Sequence, residues 1–323
     1  MLSVVIPTYN RKLSLIRALT ALSAQELPAE DFEVVIVSDG STDGTNEAVK
    51  GFPAPYAITL IDQANSGPSV ARNRGAREAH SELIVYMDDD IEPTPAFLRI
   101  HAEAHADTQN LVLIGPQSMP PGERFPIWIA WEHAMLERQY VHFRAGEWNA
   151  GPNNLYSGNF SIRREHLLQV GGFNESFKRQ EDVELGFRLE KLGLCFKFDH
   201  RANGFHRPDR TFTAWCNIPY AYGRHDIEMA RDQGEDRAID LARVHYKGRN
   251  KLTRLMARTC IGRGPLQTVM LGCLKTAIPL SDRIGMRKFG LILCSLLFNL
   301  RYLQGMCEQI GGARAMWREL GAI

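Results

Sequence analysis

Cysteines are few and far apart in this sequence. The six cysteines among its 323 residues form no Cys-x-x-Cys pair and follow no regular spacing. Such a pattern indicates neither a zinc site nor a disulfide framework, and a reducing compartment fits it best. The segment after Met1 also lacks a basic region followed by an apolar core and a cleavage site. We therefore expect no secretory signal and a catalytic part in the cytoplasm.

Two common phosphate-binding signatures are missing. No Gly-x-x-x-x-Gly-Lys-Ser/Thr occurs anywhere, so any bound phosphate is not cradled by a P-loop. The first apolar run, 2–6, is followed by Pro-Thr-Tyr-Asn and not by the Gly-x-Gly-x-x-Gly of a dinucleotide site.

Acidic residues are scarce in the last quarter of the chain. From Leu241 to Ile323, 14 Lys and Arg stand against three acidic residues, whereas the first 240 residues carry 24 basic and 34 acidic ones. This asymmetry predicts an extended anionic partner for the last quarter, either a phospholipid surface or nucleic acid. No recognised nucleic-acid motif accompanies the charge, so we expect lipid and no nucleic acid.

Long uninterrupted apolar runs are also absent. Residues 266–280 and 289–303 are strongly apolar, but Lys275 interrupts the first and Arg301 closes the second. Neither supplies the roughly 20 apolar residues of a membrane span. The pattern favours helices lying in a membrane interface, with peripheral contact across 247–303. The alternative is that both helices pack on the rest of the protein or form an oligomer contact.

What the sequence does contain is an alternation of short apolar strands, polar loops and helices. Alternation at this spacing predicts an α/β fold with a mostly parallel, Rossmann-like sheet and flanking helices. Because the polar loops leave the carboxyl ends of strands, they should gather along one rim of the sheet. The predicted strands are 2–6, 32–37, 57–61, 83–87 and 111–114, and residues 117–150 are predicted to be irregular and rich in aromatics.

The predicted strand 83–87 ends in three adjacent carboxylates, Asp88, Asp89 and Asp90. Like charges on consecutive residues repel one another, and their uncompensated burial is costly, so a cation or solvent must lie nearby. This cluster predicts a metal and phosphate site. The alternative is a solvated loop after a strand.

Six motifs follow one another along the chain: VIPTYNR (5–11), VSDGSTD (37–43), GPSVARN (67–73), MDDD (87–90), GGFNE (171–175) and EDVELGFRL (181–189). In this order they resemble the family 2 inverting glycosyltransferases of GT-A fold, in particular bacterial enzymes that build surface polysaccharides or glycolipids. The resemblance covers roughly residues 1–224, and the remainder has only a loose counterpart.

The resemblance implies a nucleotide-sugar site on the rim. Residues of the first two segments would form the pocket for the base and the ribose, and residues of the third would close over the donor. In 156–160, glycine would permit close backbone approach to the donor sugar. The implied donor-binding residues are Pro7, Tyr9, Asn10, Asp39, Arg72, Asn73, Asp88, Asp89, Gly158, Asn159 and Glu181.

The acidic triplet resembles the family's DxD motif, in which one carboxylate reaches the ribose and another binds a divalent ion between the two phosphates. Oxygen ligands suit Mg²⁺ or Mn²⁺. Both Asp88-x-Asp90 and Asp89-Asp90 fit the motif, and we favour Asp90 on the ion with Asp88 on the ribose. His206 stands where the family has a further metal ligand. The implied metal set is thus Asp90, Asp88 and His206.

Asp182, in the Glu181-Asp182 pair, resembles the family's catalytic base. Sugar transfer needs a base to activate the acceptor hydroxyl and a cation to stabilise the leaving group. The alternative is that Asp182 is a carboxylate favoured at a helix start by the helix dipole.

The resemblance also implies a domain plan. We expect a GT-A domain over 1–235, with a nucleotide-binding half (1–115) and an acceptor half (116–235). A helical region would follow over 236–323.

The expected activity is that of a metal-dependent inverting glycosyltransferase of the hexosyltransferase class. It would move a sugar from a nucleotide-sugar, UDP-linked by preference, to a glycan or lipid-linked acceptor at the cytoplasmic face of a membrane. One alternative is a sugar nucleotidyltransferase, which would need a Gly- and Arg-rich loop where 7–10 stands. The other is an inactive scaffold, which the intact triplet and Asp182 disfavour.

Overall fold

The chain forms two compact units. The computed structural model describes residues 1–177, 179–232, 234 and 236–322. The first unit comprises Met1–Glu123 and Met135–Asp209, and the second comprises Arg124–Ala134 and Arg210–Ile323. Of the three points where the chain changes unit, the last, at 209/210, comes earlier than the expected boundary at 235/236, which stays a prediction.

The first unit is built around a mixed β-sheet. In the described residues a seven-stranded sheet has the order β3-β2-β1-β4-β8-β6-β9, and a three-stranded sheet has the order β5-β10-β7. In the larger sheet β8 runs antiparallel to both neighbours, and all other neighbours are parallel. The strands are β1 (Leu2–Thr8), β2 (Phe32–Asp39), β3 (Ala57–Gln63), β4 (Leu83–Met87), β5 (Ile91–Pro93), β6 (Leu111–Ile114), β7 (Gln117–Ser118), β8 (Asn159–Arg163), β9 (Cys195–Phe198) and β10 (Gly204–His206).

The central strands are apolar because both of their faces are covered. Val4 and Val5 of β1 are fully buried, yet they belong to cores on opposite sides of the sheet. Alternate residues of a strand point to opposite faces, so a strand buried on both faces reads as a continuous apolar run. The apolar runs at 2–6, 32–37 and 83–87 accordingly become β1, β2 and β4.

Helices follow the strands as the alternation predicts. The prediction that residues 117–150 are irregular is wrong, because this segment contains an 18-residue helix. The apolar side chains of that helix are distributed around its axis, so no single stripe marks it in the sequence. The helices up to residue 191 are α1 (Lys12–Leu22), α2 (Thr45–Lys50), α3 (Pro68–Glu78), α4 (Phe97–Ala106), α5 (Ile127–Arg144), α6 (Arg164–Gln169) and α7 (Glu181–Lys191).

The strand order reverses beside β1. The chain passes from β1 outward to β2 and β3, and then returns to β4 on the other side of β1. In open α/β sheets such a switch point leaves a crevice at the carboxyl ends of the strands, where ligands bind. Thr8 at the end of β1 donates to Asp89 Oδ2 after β4 at 2.7 Å, which connects the two strand ends at this switch point.

The second unit is helical. Trp215 is fully buried in its core and contacts Trp131 and Phe298. A Cβ on Gly305 would lie 2.0 Å from the carbonyl oxygen of Tyr220, so the backbones of two helices meet directly there. This packing assigns 212–232 to the second unit and explains the earlier boundary. The remaining helices are α8 (Phe212–Asp232), α9 (Arg237–Gly248), α10 (Lys251–Cys260), α11 (Gly264–Arg283), α12 (Arg287–Ile310) and α13 (Ala313–Glu319).

Within the described part of the chain, α12 is the one helix that is long and apolar enough to cross a membrane by length and composition. Its mean hydropathy reaches 1.3 over the most apolar stretch, and half of that stretch is buried inside the protein. Leu297 and Leu300 of α12 belong to the core of the second unit. Burial of this kind is typical of a core helix.

Candidate active site

Arg72 joins two of the predicted acidic segments. From α3, its Nη2 donates to Asp88 Oδ1 at 2.8 Å, and its Nη1 donates to Glu181 Oε1 at 2.9 Å. The arginine is only 4% exposed and Glu181 is buried, whereas the side chain of Asp88 is 34% exposed. The buried guanidinium offsets the charge of both carboxylates. The guanidinium thus fixes the end of β4 to the start of α7.

Asp182 lies at the start of α7, next to this ion-paired group. Its Oδ2 accepts a hydrogen bond from the backbone N–H of Ser157 at 3.2 Å, and its Oδ1 accepts from the N–H of Val183 at 2.9 Å. Burial, together with the negative charge of Glu181, raises the pKa of Asp182 to about 7. A carboxylate with such a pKa can accept a proton from a hydroxyl group near neutral pH.

Gly158 lies where the backbone meets the carboxylate of Asp88. A Cβ at this position would lie 2.8 Å from Asp88 Oδ2 and 2.9 Å from Gln117 Nε2. Its carbonyl oxygen also accepts from the backbone N–H of Asp88 at 3.3 Å. The neighbouring Ser157 contacts Asp182, so two consecutive residues position Asp182 and Asp88. Any side chain larger than hydrogen at 158 would displace Asp88.

Asp90 and His206 lie side by side. Asp90 Oδ1 is 3.5 Å from His206 Nε2, and Asp90 Oδ2 accepts from Arg11 Nη1 at 2.5 Å. Burial by itself would raise the pKa of Asp90, but His206 and Arg11 hold it well below its usual range. The carboxylate is therefore charged, and Oδ1 has no hydrogen-bond partner among the described residues. An anionic oxygen beside an imidazole fits a divalent cation whose other ligands come from phosphates and water.

The expected set of three metal ligands is not assembled. The described residues contain no group of three or more His, Cys, Asp or Glu side chains that could hold a metal ion. Asp88 Oδ1 is paired with Arg72 at 2.8 Å. Asp90 and His206 lie side by side, and the expected set of Asp90, Asp88 and His206 stays a prediction.

Asp89 is directed into the protein and not toward the crevice. Its side chain accepts from Thr8 and, at 3.3 Å, from Arg11, and the residue is buried. Burial, with the adjacent charge of Asp90, raises the pKa of Asp89 to about 7. Asp89 thus links the ends of β1 and β4, and its implied donor contact stays a prediction.

Two asparagines with implied donor contacts are also engaged in the interior. The amide of Asn73 bonds to the backbone N–H and carbonyl of Phe173 and to Glu175, which anchors the GGFNE segment. Asn159 is fully buried, and its amide bonds to Pro116, Ala202 and His101. These contacts give both asparagines a structural role, and their implied donor contacts stay predictions.

The loops after β1 and β2 lie together, as a base and ribose pocket requires. Asn10 has a left-handed backbone (φ 52°), and its Oδ1 accepts from the N–H of Thr42 at 2.7 Å. Asp39 is buried and accepts from the N–H groups of Ser66 and Gly67. Tyr9 is 50% exposed and free to stack on a ring. The partly buried Pro7 pairs with β2 at Val37, so it fixes the start of this loop.

Two residues near the site, Arg11 and Gln117, were not predicted from the sequence. Arg11 pairs with both Asp89 and Asp90, and its place in VIPTYNR was the signal that could have found it. Gln117 lies against Gly158, but it comes from a segment that carried no recognisable pattern. The position of Gln117 follows from β7, which pairs with β10 in the small sheet.

Known proteins similar to this chain are glycosyltransferases and polysaccharide synthases. The chain is 32% identical over 241 residues to validoxylamine A glucosyltransferase of Streptomyces hygroscopicus subsp. jinggangensis, covering 66% of this chain and 57% of that protein. It is 27% identical over 237 residues to chondroitin synthase of Escherichia coli, covering 64% and 34% respectively. The chain spans about half the length of the first curated relatives it matches, or 57% and 53%.

Solved structures share the fold. A mannosyltransferase from Pyrobaculum calidifontis, PcManGT, in complex with GDP-Man and Mn²⁺ superposes with a TM-score of 0.61 at 19% identity, covering 94% of this chain and 86% of that chain. S. aureus TarS 1-349 in complex with UDP-GlcNAc gives 0.58 at 18% identity, covering 95% and 91%. The expected GT-A fold is thereby confirmed. Residues 3–171, more than half of the chain, match the family model described as Glycosyl transferase family 2, and the chain belongs to that family.

Proposed function

We propose that this chain is a metal-dependent, inverting glycosyltransferase that moves a sugar from a nucleotide-sugar to an acceptor hydroxyl. The observation that carries the proposal is the bridge from Asp88 through the buried Arg72 to Glu181, with Asp182 next in sequence. It joins the end of β4, where a donor diphosphate would lie, to a carboxylate with the pKa of a base.

The donor would enter at the switch point between β1 and β4. Tyr9 and Asp39, on the loops after β1 and β2, would hold the base and the ribose. We favour a UDP-linked sugar. Support comes from the fold shared with S. aureus TarS, whose structure contains UDP-GlcNAc, although PcManGT contains GDP-Man.

Asp90 and His206 would hold Mg²⁺ or Mn²⁺ together with the donor phosphates. A bound divalent cation offsets the negative charge that grows on the leaving diphosphate. Arg11, which contacts Asp90 Oδ2, keeps that carboxylate ionised and oriented while Oδ1 faces His206.

Asp182 would take the proton from the acceptor hydroxyl. A retaining enzyme that works through a covalent intermediate needs a second carboxylate as nucleophile. The carboxylate adjacent in sequence, Glu181, is tied to Arg72 and is buried. A single base next to an ion-paired neighbour supports one direct displacement, and therefore an inverted product.

The acceptor would be a glycan or a lipid-linked sugar, met at the cytoplasmic face of a membrane. Support comes from exposed apolar side chains on α11 and at the start of α12, with exposed basic side chains among them in the sequence. Asp282, the one acidic residue of 263–292, is paired with Arg287 at 2.6 Å. We call this the α11 surface. It consists of Leu266, Val269, Leu280, Ile284, Met286, Phe289 and Ile292, with Arg263, Lys275, Arg283 and Lys288 also exposed.

An anionic bilayer suits the α11 surface better than a second copy of the chain does. Apolar side chains can enter the interface of the bilayer while the basic residues meet its phosphates, each adding roughly 1 kcal/mol. Two copies of a surface that carries basic residues would instead repel one another.

The activity is tested with purified protein, Mn²⁺ and a panel of nucleotide-sugars. Release of the free nucleoside diphosphate is measured with each donor, and the Asp182→Asn variant serves as the control. We expect release from one donor class that depends on Asp182. No binding and no release with any donor would overturn the proposed function.

A further inference from the structure

Gln117 is a largely buried residue whose side-chain amide is not used in a hydrogen bond within the described part of the protein. The residue is 9% exposed, at the start of β7, and its backbone N–H is held by the hydroxyl oxygen of Tyr140 at 3.2 Å. Its side-chain amide makes no hydrogen bond to any residue that the structure describes. A nearly enclosed amide that has no protein partner is available to hydrogen-bond a ligand.

The amide is directed toward the reaction centre. Gln117 Nε2 and Asp88 Oδ2 lie 2.9 and 2.8 Å from the same point, the place where a Cβ of residue 158 would be. The amide atoms keep some access to solvent, because they are not among the fully enclosed polar atoms. Gln117 therefore borders the crevice beside Asp88 and is not sealed in the core.

The same stretch of backbone connects Gln117 to the proposed base. Gly158 contacts Gln117 and Asp88, and the preceding residue, Ser157, donates to Asp182. A group that lies between Asp88 and Asp182 must therefore pass close to the amide of Gln117. In the proposed reaction, that group is the transferred sugar.

We infer that Gln117 selects the donor sugar by hydrogen bonding to one of its hydroxyl groups. This inference rests on the proposed glycosyltransferase function. A sugar hydroxyl both donates and accepts, and a neutral amide offers one group of each kind. A phosphate would instead favour an arginine or lysine at this place. The nucleotide base of the donor is expected elsewhere, near Tyr9 and Asp39. A site that presents an otherwise unpaired polar group strongly disfavours analogues that lack the matching hydroxyl.

The test compares Gln117→Leu with Gln109→Leu. Gln109 is exposed just before β6, and Gln117 lies beyond the opposite end of that strand, so the same chemical change is made far from the crevice. Calorimetry with Mn²⁺ measures binding of the free nucleoside diphosphate, of the intact nucleotide-sugar, and of its deoxy-sugar analogues.

For Gln117→Leu we expect unchanged affinity for the nucleoside diphosphate and a loss of about tenfold for the intact donor. The wild-type protein should bind one deoxy analogue about tenfold more weakly than the parent donor, and Gln117→Leu should not distinguish the two. Its melting temperature should stay equal or rise, since no internal hydrogen bond is removed. Gln109→Leu should match the wild type in every measurement.

Three results would overturn the inference. Gln117→Leu could bind the intact donor as well as Gln109→Leu does. It could lose affinity for the free diphosphate by the same factor as for the intact donor. It could also, in the assay of nucleoside diphosphate release, change only the KM of the acceptor. In each of these cases the proposed glycosyltransferase function is retained if the wild-type protein binds the diphosphate and the intact donor. Failure of the wild type to bind any nucleotide-sugar would overturn both proposals.

Discussion

The backbone N–H of Ser157 donates to Asp182 Oδ2 at 3.2 Å, and this contact orients the proposed base toward the crevice. The donor belongs to the backbone and has a fixed direction, so it holds the carboxylate of Asp182 in place. The neighbouring carboxylate, Glu181, binds Arg72 instead. Binding of the donor and removal of the acceptor proton would therefore be carried by different groups.

Asp182→Asn should retain nucleotide affinity and lose turnover by at least about 100-fold, because the amide cannot accept the proton. Calorimetry measures the affinity, and release of nucleoside diphosphate measures turnover. Glu190→Gln, a change on the same helix outside the site, is the control. A product of retained anomeric configuration, read from its NMR coupling constant, would contradict direct displacement.

The rate should depend on pH through Asp182. Its pKa is raised to about 7, and the base acts only when it is deprotonated. Below this pH the value of kcat/KM should fall by about tenfold per unit, and above it the rate should level off. A profile from pH 5 to pH 9 at saturating metal checks this. Equal rates at the two ends would rule out Asp182 as the titrating base.

Metal-dependent nucleotide binding should require Asp90 and His206. Calorimetry of UDP should show binding with Mn²⁺ and none with EDTA, since the acidic triplet by itself repels a diphosphate. Asp90→Ala should abolish this binding, and His206→Ala should weaken it by at least about tenfold. His80→Ala serves as control, because its imidazole is exposed and pairs with Glu33. Equal affinity with and without metal would defeat the prediction.

Removal of Arg72 should be costly for the fold. Arg72→Ala leaves the buried carboxylate of Glu181 and the partly exposed one of Asp88 without their countercharge, which should lower the free energy of unfolding by about 3 kcal/mol. The matched control is Arg99→Ala, because Arg99 also makes two ion pairs but is exposed to solvent. Urea titrations compare the variants, and a similar small change in both would show that the bridge is not stabilising.

The α11 surface should bind anionic lipid. The full chain should float with anionic vesicles at low salt, and float less at high salt or with neutral vesicles. Val269→Ser with Leu280→Ser should reduce flotation, since both side chains are more than half exposed. Leu13→Ser, an exposed apolar residue of the first unit, is the control. Concentration-dependent association without flotation would identify an oligomer contact instead.

The sequence predicted much of the sheet because its central strands are covered on both faces. Burial on both sides makes β1, β2 and β4 readable as apolar runs, and the motifs mark the loops at their ends. Asp90, His206 and Asp182 were likewise found as separate residues. Their roles in sugar transfer stay predictions.

The contacts between side chains from distant segments could not be predicted from the sequence. Asp88 and Asp90 are two residues apart, yet the first binds Arg72 and the second lies beside His206. The reason is that packing of α3, α7 and β10 around the end of β4 decides which countercharge each carboxylate meets. The same holds for the interior roles of Asn73 and Asn159 and for the helix at 127–144.

The sequence by itself determined the family, the apolar strands and the chemical groups at the rim, because these follow from local pattern and composition. Only the tertiary structure decided which carboxylate is ion-paired, which lies beside an imidazole, and that Gln117 borders Asp88. These properties depend on burial and on contacts between residues far apart in sequence, such as Arg72 with Glu181. Free energies of desolvation and pairing are set by those surroundings, and no local pattern encodes them.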